Sequence, residues 1–308
     1  MLELPDSWVW DFWFARDGDE YHLFFLYASR ALHDPGRRHG RASIGHAVSD
    51  DLRNWTRLPD ALVRGEAGDF DETATWTGSV VRGPDGRWYM FYTGASDRVQ
   101  TIGLATSDDL VTWHKYDGNP IAAADPRWYE KYDGTTWFDE AWRDPWVFAD
   151  PDGDGWHMLI TGRANHGPVD DRGVVAHARS TDLVHWDVLP PLSEPGAGFG
   201  QLEVFQVEVV EDRVVLLFNC GSSELSAARK ETSGGGVWSL VADSLTGPFD
   251  IGKATPLTDE SFYVGRLVRD VDGAWVLLAF HNEGPDGFIG SISDPMPVHL
   301  TPAGLTLQ

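Results

Sequence analysis

The sequence predicts an all-β protein, a five-bladed β-propeller with four-stranded antiparallel blades around a central channel, and three observations carry that prediction. A phrase recurs: residues 47–55 read AVSDDLRNW, 105–113 read ATSDDLVTW and 178–186 read ARSTDLVHW. Each copy follows an apolar run of strand character: YHLFFLYAS from Tyr21, WYMFYTGAS from Trp88 and WHMLITGRA from Trp156. No segment sustains a long apolar period of 3.6 residues, so little helix is expected. A returning phrase marks one supersecondary unit built several times, and a unit of about four short strands repeated radially makes a propeller.

The blades follow in chain order. Blade one opens with Trp8-Val9-Trp10-Asp11-Phe12-Trp13-Phe14, blade two with Trp76-Thr77-Gly78-Ser79 and blade three with Trp142-Arg143-Asp144-Pro145-Trp146. Two degraded copies complete the set. VVLLFNC (214–220) leads to VWSLVADSLTGPF (237–249), and WVLLAFHNE (275–283) leads to GFIGSISDPMPVHL (287–300). Gly83-Pro84-Asp85-Gly86, the 151–155 segment and Asp272-Gly273 each precede a Trp-led strand, and Asp-Gly between apolar runs signals a hairpin. In the repeated S-x-D-L-x-x-W, Ser and Asp can satisfy turn amides while Trp fills the space between blades. Asp51, Asp109, Asp182, Trp55, Trp113 and Trp186 are therefore assigned to the scaffold. Asp150 to Gly155 resembles part of a calcium loop but lacks the closing glutamate and is read as a hairpin turn.

Composition narrows the function. The 308 residues are 42% hydrophobic, with 15 Trp and 15 Phe, and are expected to form one domain, residues 1–308, with no C-terminal β-sandwich. A net charge of −24 repels nucleic acid and anionic membranes. The one cysteine, Cys220, ends an apolar strand and is read as a buried structural thiol. The N-terminus has neither a basic nor an apolar leader segment, so a cytoplasmic location is expected. No group has metal-ligand spacing, His166 and His281 included, and no phosphate-binding loop is present; neither metal nor cofactor is expected.

Three acids are left unexplained by the repeat: Asp11 among aromatics, Asp144 before Pro145, and Glu203 in Gly200-Gln201-Leu202-Glu203-Val204-Phe205-Gln206. They are expected at equivalent blade openings, where inner strands converge on the channel. A carboxylate in an apolar strand is costly unless paired or neutralised. Two carboxylates flanking a glycosidic bond are the standard apparatus for cleaving it, and a third can hold their pKa values apart. Trp rings stack on the apolar faces of sugars.

At these residues the chain resembles the five-bladed propeller glycosidases of families 32 and 68, which act on fructans, and more distantly the arabinan- and xylan-acting family 43. Trp10-Asp11-Phe12-Trp13 looks like the family 68 nucleophile segment, Arg143-Asp144-Pro145 matches the R-D-P motif, and Gln201-Leu202-Glu203 occupies the acid/base place. Trp76-Thr77-Gly78-Ser79 looks like the G-S motif of blade two. The invertase pattern W-M-N-D-P-N-G is absent, and Val204 follows the glutamate where that pattern has Cys. The resemblance implies Asp11 as nucleophile, Glu203 as acid/base and Asp144 as transition-state stabiliser, with Trp10, Trp13, Trp76, Ser79, Arg143 and Gln206 binding substrate. Asp139, Tyr263 and Arg266 could also reach the channel. Retention requires carboxyls about 5–5.5 Å apart, and inversion about 6.5–9.5 Å.

The implied reaction is hydrolysis of a β-fructofuranoside, sucrose or a short fructo-oligosaccharide, with a small carbohydrate as partner. Fructosyl transfer of the levansucrase type, an inverting arabinosidase or xylosidase, and a non-catalytic sugar-binding propeller stay open. So does a homo-oligomer in which a second subunit completes the site.

Overall fold

The apolar run in the second strand of each repeat is buried on both faces; Leu23 to Leu26 are all 1% exposed or less. A strand meets that environment only when other layers cover both sides of its sheet, as they do in a radial stack. The structure, a computed structural model, describes residues 1–302 and 304–308 and arranges them as five antiparallel sheets. Blade one contains β1 (Ser7–Asp17), β2 (Glu20–Ser29), β3 (Ser43–Ser49) and β4 (Thr56–Leu62). Blade two contains β5 (Ala74–Arg82), β6 (Trp88–Ser96), β7 (Val99–Ser107) and β8 (His114–Lys115). Blade three contains β9 (Trp142–Ala149), β10 (Trp156–Arg163), β11 (Gly173–Ser180) and β12 (Asp187–Leu189). Blade four contains β13 (Glu203–Val210), β14 (Arg213–Cys220), β15 (Gly236–Ala242) and β16 (Thr255–Pro256). Blade five contains β17 (Phe262–Arg269), β18 (Trp275–Gly284), β19 (Gly287–Ile292), β20 (Met296–Thr301) and β21 (Gly304–Leu307). The first strands β1, β5, β9, β13 and β17 touch in ring order, and β17 meets β1 again to close the ring.

Blade five departs from the expected four strands. The run GFIGSISDPMPVHL breaks at Asp294-Pro295, because proline cannot donate a ladder hydrogen bond. β19 therefore pairs with one half of β18 and β20 with the other, and β21 is added beyond β20. Leu2 exchanges two backbone hydrogen bonds with Ile292, at 3.0 and 2.9 Å, fastening the N-terminus to this last blade.

The recurring phrase is a repeated turn. Ser49 Oγ accepts from the Asp51 amide at 3.1 Å, and Asp51 Oδ1 accepts from the amides of Arg53 and Asn54 at 2.8 and 2.7 Å. Ser107 with Asp109 and Ser180 with Asp182 make the same bonds. The next leucine, Leu52, Leu110 or Leu183, takes a left-handed conformation with φ of 62, 63 or 68° and is fully buried. Trp113 then meets Phe24 of blade one edge-on at 5.6 Å, and Trp186 meets Phe91 of blade two at 5.4 Å. These two tryptophans bridge blades as the sequence suggests, whereas Trp55 stacks at 6.3 Å on Phe14 of its own blade.

Blades one and three share a feature that the sequence reading did not single out. His22 Nδ1 lies 3.0 Å from His46 Nε2 with the rings stacked, and Glu20 sits 3.1 Å from the outer nitrogen of His22. In blade three His157 and His177 repeat this at 2.8 Å, with Asp150 in the outer place at 3.3 Å. Burial, and then the neighbouring imidazole, lowers His46 to about 3 and His177 to about 4, so both are neutral at ordinary pH. Blade two has Tyr89 and Leu104 at these places. Asp150 also pairs with Arg179, and the 150–155 segment is the turn joining β9 to β10. Cys220 is fully buried, and burial pushes its thiol well above the usual range.

Candidate active site

Every first strand carries one residue more than its neighbour can pair. Trp10 faces Leu26 and Phe12 faces Phe25, which leaves Asp11 over. Trp76 faces Thr93 and Gly78 faces Tyr92, which leaves Thr77 over. The same slip follows Arg143 opposite Thr161, Glu203 opposite Asn219 and Tyr263 opposite Phe280. A β-bulge of this kind bends the strand and re-aims its side chains. Here it presents two consecutive side chains to the axis. The pairs Trp10-Asp11, Trp76-Thr77, Arg143-Asp144 and Glu203-Val204, together with Tyr263, border one cleft of about 590 Å³. Asp144, Val204 and Val264 hold positive φ angles of 59, 53 and 49°. That conformation is costly for β-branched valine and persists only where the surroundings impose it. The preceding blade does so for two of them. The Asp144 amide donates to Thr93 Oγ1 at 2.8 Å and the Val204 amide to Thr161 Oγ1 at 3.2 Å.

This register corrects one expectation. Asp11 and Asp144 occupy the same place in their blades, but Glu203 stands one residue earlier and is equivalent to Arg143. An extra residue in a strand is invisible to a pattern of alternation.

The three acids have different partners. Asp11 accepts from the Thr77 hydroxyl, and burial, opposed by that bond and reinforced by the charge of Glu203, pushes it up to about 6. Asp144 is 3% exposed and accepts from Thr161 Oγ1 at 2.9 Å. Burial raises it to about 7, against the pull of Arg143 and with a push from Asp11 and Glu203. Glu203 Oε1 accepts from Arg143 Nη2 at 2.6 Å and Gln201 Nε2 at 3.1 Å, while Oε2 accepts from the Tyr263 hydroxyl at 2.6 Å. Arg143 is the hub. It donates also to Gln100 at 3.0 Å and Gln201 at 2.7 Å, and it lies 3.5 Å from both Asp139 and Asp144. Burial opposes its charge, but Glu203, Asp139 and Asp144 together hold it above its ordinary value.

The structure brings Asp11, Asp144, Glu203, Trp10, Trp76, Arg143, Asp139 and Tyr263 to the cleft, and leaves four of the residues named from the sequence outside it. Trp13 is fully buried and stacked on Phe24. The Ser79 hydroxyl accepts the Val147 amide at 3.1 Å. Gln206 is spent on blade five, donating to the Leu267 carbonyl and accepting from its amide, both at 2.8 Å. All three lie past the bulge, where the strand turns back into packing. Arg266 is buried beneath the cleft. Sequence reasoning missed Arg38 and His39, on the 3-10 turn Pro35–Arg41, and Gln100, at the start of β7; these loop and strand-end positions show no periodic signal. Arg38 lies over Trp10, and the His39 carbonyl accepts from Trp76 Nε1 at 2.8 Å, fixing that ring at the cleft wall. A broader depression of about 740 Å³ between blades two and three, around Tyr116 and Trp186, gathers no such cluster of acids. Among the described residues no His, Cys, Asp and Glu grouping fits a metal ion.

Residues 13–284 match the glycosyl hydrolases family 32 N-terminal domain. The chain belongs to that family. The match takes in Asp144 and Glu203 and begins two residues after Asp11. Beta-fructofuranosidase 1 from Zea mays is 32% identical over 209 residues, 65% of this chain and 28% of that protein. Acid beta-fructofuranosidase 4, vacuolar, from Arabidopsis thaliana is 38% identical over 112 residues, 34% of this chain and 16% of its own length. The aligned segments thus span less than a third of these relatives. The Bombyx mori GH32 beta-fructofuranosidase BmSUC1 superposes with a TM-score of 0.74 at 22% identity, covering all of this chain and 64% of that one, a likeness of fold.

Proposed function

We propose that this family 32 domain is a retaining glycoside hydrolase acting on a β-fructofuranoside of the size of sucrose or a short fructo-oligosaccharide. The observation that carries this reading is that two acids in contrasting environments, Asp11 and Glu203, share one cleft with Asp144. Asp11, ionised above about pH 6, attacks the anomeric carbon as the bond from that carbon to the leaving oxygen breaks. The Glu203 proton passes to the leaving oxygen, and the new carboxylate is met by Arg143 and the Tyr263 hydroxyl. In the second half, water gives its proton to Glu203 and its oxygen to the anomeric carbon, releasing Asp11 and restoring the configuration. Asp144, fixed by Thr161 and its own amide, stabilises the transition state through the sugar hydroxyls. Trp10 and Trp76 supply the stacking walls.

The test is a screen of sucrose, kestose, inulobiose, levanbiose and aryl pentosides, scored for released monosaccharide and followed by NMR at early time. Free fructose with retained configuration supports the reading. Oligosaccharide products instead of free fructose would make the chain a fructosyltransferase, and inversion with pentose release would overturn the assignment. Unchanged turnover in both Asp11→Ala and Glu203→Gln would remove these residues from the chemistry.

A further inference from the structure

Arg266 is the residue of β17 just past the bulge of blade five, and it is 1% exposed. Its Nε donates to the Phe12 carbonyl at 3.1 Å and its Nη1 to the Phe205 carbonyl at 2.6 Å. Phe12 directly follows Asp11, and Phe205 stands two residues after Glu203. Blade five lies between blades four and one in the ring, so one rigid planar group grips the two strands that carry the two acids. We propose that Arg266 is a positioning residue that fixes the separation of Asp11 and Glu203 and counters the negative charge of Asp11 and Asp144 from below. The proposal rests on the glycosidase reading above.

A neutral amide could tie backbone carbonyls; what needs explanation is the charge. Among the described residues Arg266 forms no salt bridge and its Nη2 has no hydrogen-bond partner, and a buried cation without a paired carboxylate is expensive. Its guanidinium stands 5.2 Å from the centre of the Trp146 ring. The acids that act on it are Asp144 of β9, Asp11 of β1 and Glu208 of β13. Burial lowers Arg266 to about 10, so the group keeps its proton across the working range. Asp11 itself faces Thr77 from β5, Glu203 from β13 and Arg38 from the 3-10 turn. Arg266 is thus the cation on the scaffold side of the acids, and Arg38 and Arg143 are those on the cleft side. Pairs of carboxyls that must sit within an ångström of a set distance need such a brace, since a misplacement of that size costs on the order of 10²-fold in rate.

The experiment compares Arg266→Met and Arg266→Lys with the wild-type chain on whichever fructoside the screen identifies. Arg266→Met is expected to lower kcat on the order of 10²-fold with little change in KM. It should also move the acid limb of the pH–rate profile upward as Asp11 loses an opposing charge. Arg266→Lys keeps the charge without the fork, so its acid limb should stay in place while kcat remains depressed. A folded Arg266→Met with wild-type kcat and an unmoved acid limb would overturn the proposal and leave Arg266 as scaffold. If Arg266→Met does not fold, Arg266→Lys decides alone, and unchanged kcat there is the refuting result. An active wild type with indifferent variants sinks only the role of Arg266; a wild type inert on every fructoside sinks the glycosidase reading first.

Discussion

Replacing Asp144 with Asn should make the protein more heat-stable at alkaline pH while removing its turnover. Asp144 is 3% exposed and is raised from 3.8 to about 7 by burial, with Arg143 only partly compensating. At about 1.4 kcal/mol per pH unit, the ionised side chain costs the fold roughly 4 kcal/mol relative to the unfolded chain. The Asn oxygen can take the place of Oδ2, which accepts from Thr161 and lies 3.5 Å from Arg143 Nε, but its buried NH2 then stands in the place of Oδ1 without a described acceptor, returning about 1–2 kcal/mol. The net gain is about 2–3 kcal/mol, which for a chain of this size raises the melting temperature by about 4 °C or more. The pH dependence gives the sharper test. Because the folded pKa lies above the unfolded one, protonated Asp144 favours the fold below about pH 4, and that contribution is lost as pH rises through about 7. The gap between variant and wild type should therefore be small at pH 4.5 and full at pH 8. Melting followed by circular dichroism at both values checks it. An Asp144→Asn variant that melts below wild type at pH 8, or a gap independent of pH, would refute the reasoning.

Glu203→Gln should lower kcat by about 10²–10⁴-fold, and by less on a fructoside whose leaving group needs no proton, as initial rates on sucrose and on an aryl fructoside would show. The stacked histidines predict loss of stability on the acid side. Their folded pKa values are depressed, so their contribution is full above about 6.5 and fades as pH falls toward 3 to 4. Giving blade three the residues of blade two, His157→Tyr with His177→Leu, should move the acid-unfolding midpoint lower; a midpoint that stays or rises counts against the account. Asp109→Ala removes an acceptor for two turn amides and should cost about 1–2 kcal/mol in urea unfolding without altering KM.

Much of this architecture is written in the chain. The S-x-D-L-x-x-W phrase specifies its turn chemically, and the doubly buried second strands read as unbroken apolar runs, so the blade count follows from the residues. Asp11, Asp144 and Glu203 stand out because acids are rare in such surroundings. Trp13 could not be told from Trp10, nor Ser79 from Trp76, because the bulge between them reverses which side chain faces the axis and leaves no mark on composition. Arg38, His39 and Gln100 come from a turn and a strand end, where tertiary contacts alone decide direction. The fifth strand of blade five was hidden because the break at Asp294-Pro295 lies inside what reads as one run.

The bulges also separate two tasks that a protein of this size must reconcile. Turn chemistry and inter-blade packing are handled by the repeated phrase, while blades one to four each contribute a two-residue window to the cleft and blade five contributes Tyr263. Trp76-Thr77 occupies the same kind of window as the acidic pairs but carries no acid. Exchange of such a dipeptide would redraw one wall of the cleft and leave its blade's register intact, so recognition in this fold can diversify one window at a time.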